Sequence, residues 1–229
     1  MPAAPAPSPD APDDRVDASI LVLGIGNVLW ADEGFGVRCV EALQSRWRFA
    51  PKVSLADGGT QGLYLLPLVQ GAGRLIVFDA VDYGLEPGTL KVVEDDEVPA
   101  FLGAKKMSLH QTGFQEVLAL AQLSGHYPEK LVLIGCQPKE LADFGGSLSD
   151  TVKAALEPAL QVAVRLLDAW GAEPLSCDAG MPPGEPVTAS ALGLAAYEAG
   201  RPASEDACRI GDARVLARRL KAEATQPEG

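Results

Sequence analysis

The stretch Ile20-Leu-Val-Leu-Gly-Ile-Gly-Asn27, continuing at once as Val28-Leu-Trp-Ala-Asp-Glu-Gly-Phe-Gly36, decides the fold class. Ile20 to Leu23 form a short unbroken apolar run, the pattern of a strand covered on both faces in a parallel sheet. Gly24 and Gly26 allow a tight turn at the end of that strand. A dinucleotide-binding loop would place its third glycine where this chain has Leu29. No Lys or Arg lies between Gly24 and Gly36, and Asp32 and Glu33 occupy the place a phosphate would take. Carboxylates suit a helix N-terminus electrostatically but repel a phosphate. The loop is therefore expected to offer oxygen ligands to a cation.

Outward from this stretch, strands and helices alternate. A helix is expected from Gly34 to Arg48, with Val37, Val40, Ala42 and Leu43 on its apolar face. Val53 to Ala56 reads as a second strand ending at Asp57, and Thr60 caps a Leu-rich helix to Val69. Leu75 to Phe78 is a third buried strand ending at Asp79. Thr89 to Val93, after the turn Leu85-Glu-Pro-Gly88, alternates like a half-exposed strand. A helix from Ser108 to Ser124, a core strand Leu131 to Ile134, and a long helix from Ser149 to Trp170 complete the series, with a kink or break expected at Pro158. This order predicts an α/β three-layer sandwich: a mostly parallel twisted sheet of about five strands, one antiparallel, flanked by helices. Residues 1–18 read as a flexible Pro/Ala/Asp-rich leader, 19–171 as the α/β domain, and 172–229 as a Pro/Ala-rich extension with a short helix near Asp206 to Glu223.

Composition narrows the partners. The 229 residues carry a net charge of −12, which disfavours nucleic acid and anionic membrane surfaces. No apolar run approaches the ~18 residues needed to span a bilayer, and the N-terminus lacks the apolar core of a secretory signal. The four cysteines, Cys39, Cys136, Cys177 and Cys208, are scattered, arguing against a disulfide framework or a zinc–thiolate site. A cytoplasmic monomer without membrane insertion is expected.

In open parallel sheets, ligands gather outside the carboxyl ends of the strands. Glu33, Asp79 and His110 fall at such places, and two carboxylates with one imidazole suit a borderline divalent ion such as nickel or zinc. Each also has an ordinary structural role: Glu33 as an acid at a helix start, Asp79 as a cap of the turn at Val81, His110 as a hydrogen-bonding residue of a first helical turn. Asp57-Gly-Gly-Thr60 is equally a turn with a cap. Residue types alone leave these readings open. H-E-x-x-H, G-x-S-x-G and P-loop motifs are missing; Gly145-Gly-Ser-Leu-Ser149 falls one glycine short of a serine elbow, and Cys136, at a strand end, reads as a packed thiol.

Taken jointly, Gly24-Ile-Gly-Asn-Val-Leu-Trp-Ala-Asp-Glu-Gly-Phe-Gly-Val37, Asp57-Gly-Gly-Thr-Gln-Gly62, Phe78-Asp-Ala80 and Ser108-Leu-His-Gln111 resemble the nickel-iron hydrogenase maturation endopeptidases. Asp82-Tyr-Gly-Leu-Glu-Pro-Gly-Thr89 and Gly145-Gly-Ser-Leu-Ser149 resemble the subgroup serving membrane-bound uptake hydrogenases. The resemblance covers Ile20 to Gly171. It implies removal of a C-terminal peptide from the hydrogenase large-subunit precursor after nickel insertion, by an aspartic-type endopeptidase. It places metal-binding residues on Glu33, Asp79 and His110, with nickel supplied by the precursor and no nucleotide. Asp57 is the candidate carboxylate that activates water or positions the scissile bond. Trp30 and Phe35 are expected to form an apolar docking rim. The alternative is a non-catalytic nickel-binding chaperone on the same fold. A dinucleotide module using Asp57 for the ribose is disfavoured by Leu29 and by the Asp32-Glu33 pair.

Overall fold

A computed structural model describes residues 19–99, 109–177 and 187–201, with 109–112 described in backbone only. The expected Asp206–Glu223 helix lies outside the described residues, as does the leader.

Strands β1 (Ile20–Ile25), β3 (Val53–Gly59), β4 (Arg74–Ala80), β6 (Lys130–Cys136) and β5 (Leu90–Glu94) form one sheet in the order β3-β1-β4-β6-β5. All its pairings are parallel except β5 with β6, which supplies the one antiparallel strand expected and places it at an edge. A separate two-stranded ribbon joins β2 (Trp47–Arg48) to β7 (Leu175–Ser176).

Period-two alternation explains how one continuous apolar strand serves two cores. Ile20, Val22, Ile76, Phe78, Val132 and Ile134 face α1 (Phe35–Arg46) and α4 (Asp150–Ala169). Leu21, Leu23, Leu75, Val77, Leu131 and Leu133 face the opposite layer, containing α2 (Leu66–Gln70) and α3 (Leu109–Leu123). The expected Thr60–Val69 helix is shorter than predicted, because a 3-10 turn at Gly62–Leu65 precedes α2.

Helix α4 runs unbroken through Pro158, contrary to the expected kink or break. Its inner face, with Val152, Ala155, Ala159, Leu160, Ala163 and Leu167, is buried against the sheet. Pro158 and Ala154 are on the exposed side. The carbonyl that loses its proline N–H partner can bond to water there, and the buried face holds the helix together.

Among the described residues, no helix is long and apolar enough to cross a membrane.

Candidate active site

The glycines of the opening stretch bring three backbones into near contact. A Cβ on Gly36 would lie 2.2 Å from the Phe78 carbonyl oxygen and 2.3 Å from that of Ile25, so α1 begins directly on the ends of β1 and β4. Gly26 has φ 130°, and a Cβ there would lie 1.8 Å from the Glu33 carbonyl oxygen. The 3-10 turn Ala31–Gly34 is thereby pressed onto the carboxyl end of β1. The neighbouring strand β4 carries Asp79, which is 2% exposed. From β1 the chain crosses to β3 on one side, and from β4 it goes on to β5 and β6 on the other. The crevice between strands whose connections diverge is the usual ligand position of such sheets.

The adjacent acids of this turn sit in different surroundings, which narrows the expectation that the loop as a whole offers oxygen ligands to a cation. Asp32 is fully buried, and its carboxylate accepts hydrogen bonds from the amides of Lys139 (2.9 Å), Glu140 (2.8 Å) and Ser149 (2.6 Å) and from the Ser149 hydroxyl (3.0 Å). Four donors commit it to clasping the 137–149 loop and the start of α4. Glu33, its neighbour, is only partly buried.

Asp57 lies opposite Gly24 in the β1–β3 register, at the same carboxyl edge. It lines a cleft of about 240 Å³ with Asn27, Leu29, Thr60 and Leu192. Burial raises its carboxyl above the ordinary value, opposed by hydrogen bonds from the Gly59 amide and Thr188 hydroxyl and by the Arg38 charge; Glu41 adds to the rise. A carboxylate displaced upward in a cleft is the kind suited to general-base work.

His110 lies in the first turn of α3, where only its backbone is described. One turn later, Gly113 packs against Gly62, and a Cβ on Gly113 would lie 3.3 Å from the Gly62 Cα. This close approach brings the start of α3 against the Asp57-Gly-Gly-Thr-Gln-Gly62 segment. Among the described residues, no group of three His, Cys, Asp or Glu could hold a metal ion.

The remaining expectations resolve in physical terms. Phe35 is fully buried and belongs to the core, so it cannot serve as a docking rim. Trp30, 36% exposed, instead meets Phe144, 42% exposed, edge to face with centroids 5.3 Å apart. Ser147 donates to Glu198 (2.6 Å) and Ser149 caps α4, so neither behaves as an elbow nucleophile. Burial, with the Asp32 charge second, pushes the Cys136 thiol up to about 12, which keeps it protonated.

Four contributors were missed from sequence. Tyr83 is buried, and its phenol is pushed up by burial first and by the Asp79 charge second. Gln137 accepts from the Tyr83 amide (2.7 Å) and the Leu85 amide (3.1 Å) and donates to Asp82 Oδ1 (3.0 Å), fixing the loop that follows Asp79. Arg38 and Thr188 approach Asp57 from α1 and from the C-terminal segment. Only Arg38 left a signal: a charge inside the apolar run Val37-Arg-Cys-Val40.

Comparisons with known proteins agree with this architecture. The family described as HycI, hydrogenase maturation protease, matches residues 37–166. Hydrogenase expression/formation protein HoxM of Cupriavidus necator is 62% identical over 197 residues, 86% of this chain and 98% of that protein. Hydrogenase 2 maturation protease of Escherichia coli is 42% identical over 161 residues, 70% of this chain and 97% of that protein. The solved structure of the Escherichia coli hydrogenase maturating endopeptidase HybD aligns with a TM-score of 0.66 at 40% identity, covering 69% of this chain and 96% of its own. The parallel sheet, its acidic carboxyl edge and these matches agree: the chain belongs to the hydrogenase maturation protease family, whose members are endopeptidases.

Proposed function

We propose that this protein removes the C-terminal peptide of the nickel-iron hydrogenase large-subunit precursor once nickel has been inserted. The observation that supports the reading is the common edge: Asp57 and Asp79 lie near the carboxyl ends of the two strands flanking β1, the turn that carries Glu33 packs on the end of β1, and the Gly62–Gly113 contact sets the start of α3 against the Asp57–Gly62 segment. Glu33, Asp79 and His110 form a donor set that suits nickel held by the precursor. The metal belongs to the substrate and serves as the recognition element. Its capture tethers the scissile segment beside the cleft, contributing proximity and orientation.

Asp57 is then the aspartic-type group. As a carboxylate it accepts a proton from the attacking water, or orients the scissile bond for that attack. Its partial burial limits competing water and raises its basicity. The reaction takes place in the cytoplasm, in keeping with free Cys39, Cys136 and Cys177, with the enzyme as a monomer.

The test is to incubate the protein with its large-subunit precursor, with and without nickel, and read intact masses. Loss of one discrete C-terminal peptide from the nickel-loaded precursor alone is expected. Glu33→Ala and His110→Ala should each lower that rate by at least a hundredfold while the protein stays folded. Binding without any mass change would favour the chaperone reading. Normal processing by both variants would remove the assigned metal contacts.

A further inference from the structure

The C-terminal segment 187–201 is fastened across α1 and the start of α4. The Val187 amide donates to Gln44 Oε1 (2.8 Å), and the Leu194 amide donates to Glu41 Oε1 (2.8 Å). Arg38 is 3% exposed; its guanidinium donates to the Leu192 carbonyl oxygen and to Glu41 Oε2 (2.9 Å) and lies 5.5 Å from the centre of the Tyr197 ring. Glu198 pairs with Lys153 and accepts from Ser147 (2.6 Å). These contacts hold the segment in a defined path, because a buried guanidinium is costly without its partners.

The first part of that path borders the cleft. Thr188 is 6% exposed, and its hydroxyl lies 3.4 Å from Asp57 Oδ2. Four residues on, Leu192 forms a wall of the same cleft. Asp57 sits on β3, the edge strand of the sheet, with β1 on one side only.

We propose that Thr188 is a positioning residue for Asp57, delivered by the strap 187–201, with Leu192 as the apolar wall beside it. The inference rests on the reading of Asp57 as the group acting at the scissile bond. The hydroxyl fixes which carboxylate oxygen faces the cleft. At 3.4 Å the contact is at the long end for an O–H···O bond, and catalytic hydrogen bonds of this kind tighten in the transition-state complex.

The experiment is single-turnover cleavage of the nickel-loaded precursor by Thr188→Val, Thr188→Ala, Thr188→Ser and Asp57→Asn, with precursor affinity and thermal midpoint measured alongside. Losing one hydrogen bond to a charged group predicts a cleavage rate lower by about tenfold in T188V and T188A. Precursor affinity should stay within twofold, and T188S should recover most of the rate. The Ala and Ser variants differ only by the hydroxyl, so this pair decides the matter even if T188V folds poorly. Equal rates in T188A and T188S, with D57N inactive, overturn the role of Thr188 and leave Asp57 in place. Normal cleavage by D57N removes Asp57 from the chemistry and this inference with it.

Discussion

Replacing Asp32 by Ala tests the division of labour between the two neighbouring acids. The change removes the acceptor of three backbone amides and one hydroxyl, at a site with no solvent exposure. A buried donor left unsatisfied costs ~1–3 kcal/mol, and bonds to a charged acceptor sit toward the upper end of that range. Partial relaxation of the 137–149 loop would let water reach some of these donors, so the net loss is about 4 kcal/mol rather than the full sum. For a domain of this size that lowers the thermal midpoint by ~10 °C. Asp32→Asn keeps one acceptor oxygen and should lose about half as much. Thermal and urea unfolding of the three proteins side by side, with Glu33→Ala as the control, provide the assay. Glu33→Ala removes a half-buried carboxylate that keeps access to water, and should cost less than ~1 kcal/mol. A D32A protein less than 1 kcal/mol destabilised, or an E33A protein that unfolds as easily as D32A, would refute the assignment of Asp32 as a clasp.

Asp57→Asn probes linkage: burial raises the native carboxyl above its unfolded value, so its contribution is fully present below the unfolded pKa, ~3.9, and is lost as pH rises through the native pKa. The Asn variant should therefore gain stability relative to the parent across that rise, and urea midpoints that move in parallel at every pH would contradict it. Pro158→Ala restores a helical N–H on an exposed face and should raise stability by about 1–3 kcal/mol, read as a higher unfolding midpoint. Gly26→Ala would set a methyl 1.8 Å from the Glu33 carbonyl oxygen at φ 130°; stability should fall by more than ~2 kcal/mol and precursor cleavage with it, whereas a fully active, stable variant would show that the 31–34 turn is free to move.

The sheet was legible because local pattern and global placement agree. Each of Ile20–Leu23, Leu75–Phe78 and Leu131–Ile134 is apolar throughout, and a strand with that pattern needs cover on both faces. The alternation expected of Thr89 to Val93 is the pattern of a half-covered strand, and the structure places that strand, β5, at the sheet's edge. Pro158 misled because local backbone cost was weighed without the buried face that outweighs it. Phe35 misled because a large apolar residue beside a loop reads alike whether it turns outward or into the core.

Sequence alone determined the order of the five sheet strands and put Asp57 and Asp79 near strand ends and Glu33 in the turn after β1, since all of these follow from spacing along one segment. Tertiary structure alone decided which carboxylate does what. Asp32 and Glu33 are chemically near-equivalent neighbours, and they part only because the amides of Lys139, Glu140 and Ser149, 107 to 117 residues away, converge on the first. Thr188 meets Asp57 across 131 residues, and Arg38 meets the Leu192 carbonyl across 154. Hydrogen bonds and desolvation act over a few ångströms of space, a distance that residue numbers so far apart do not encode.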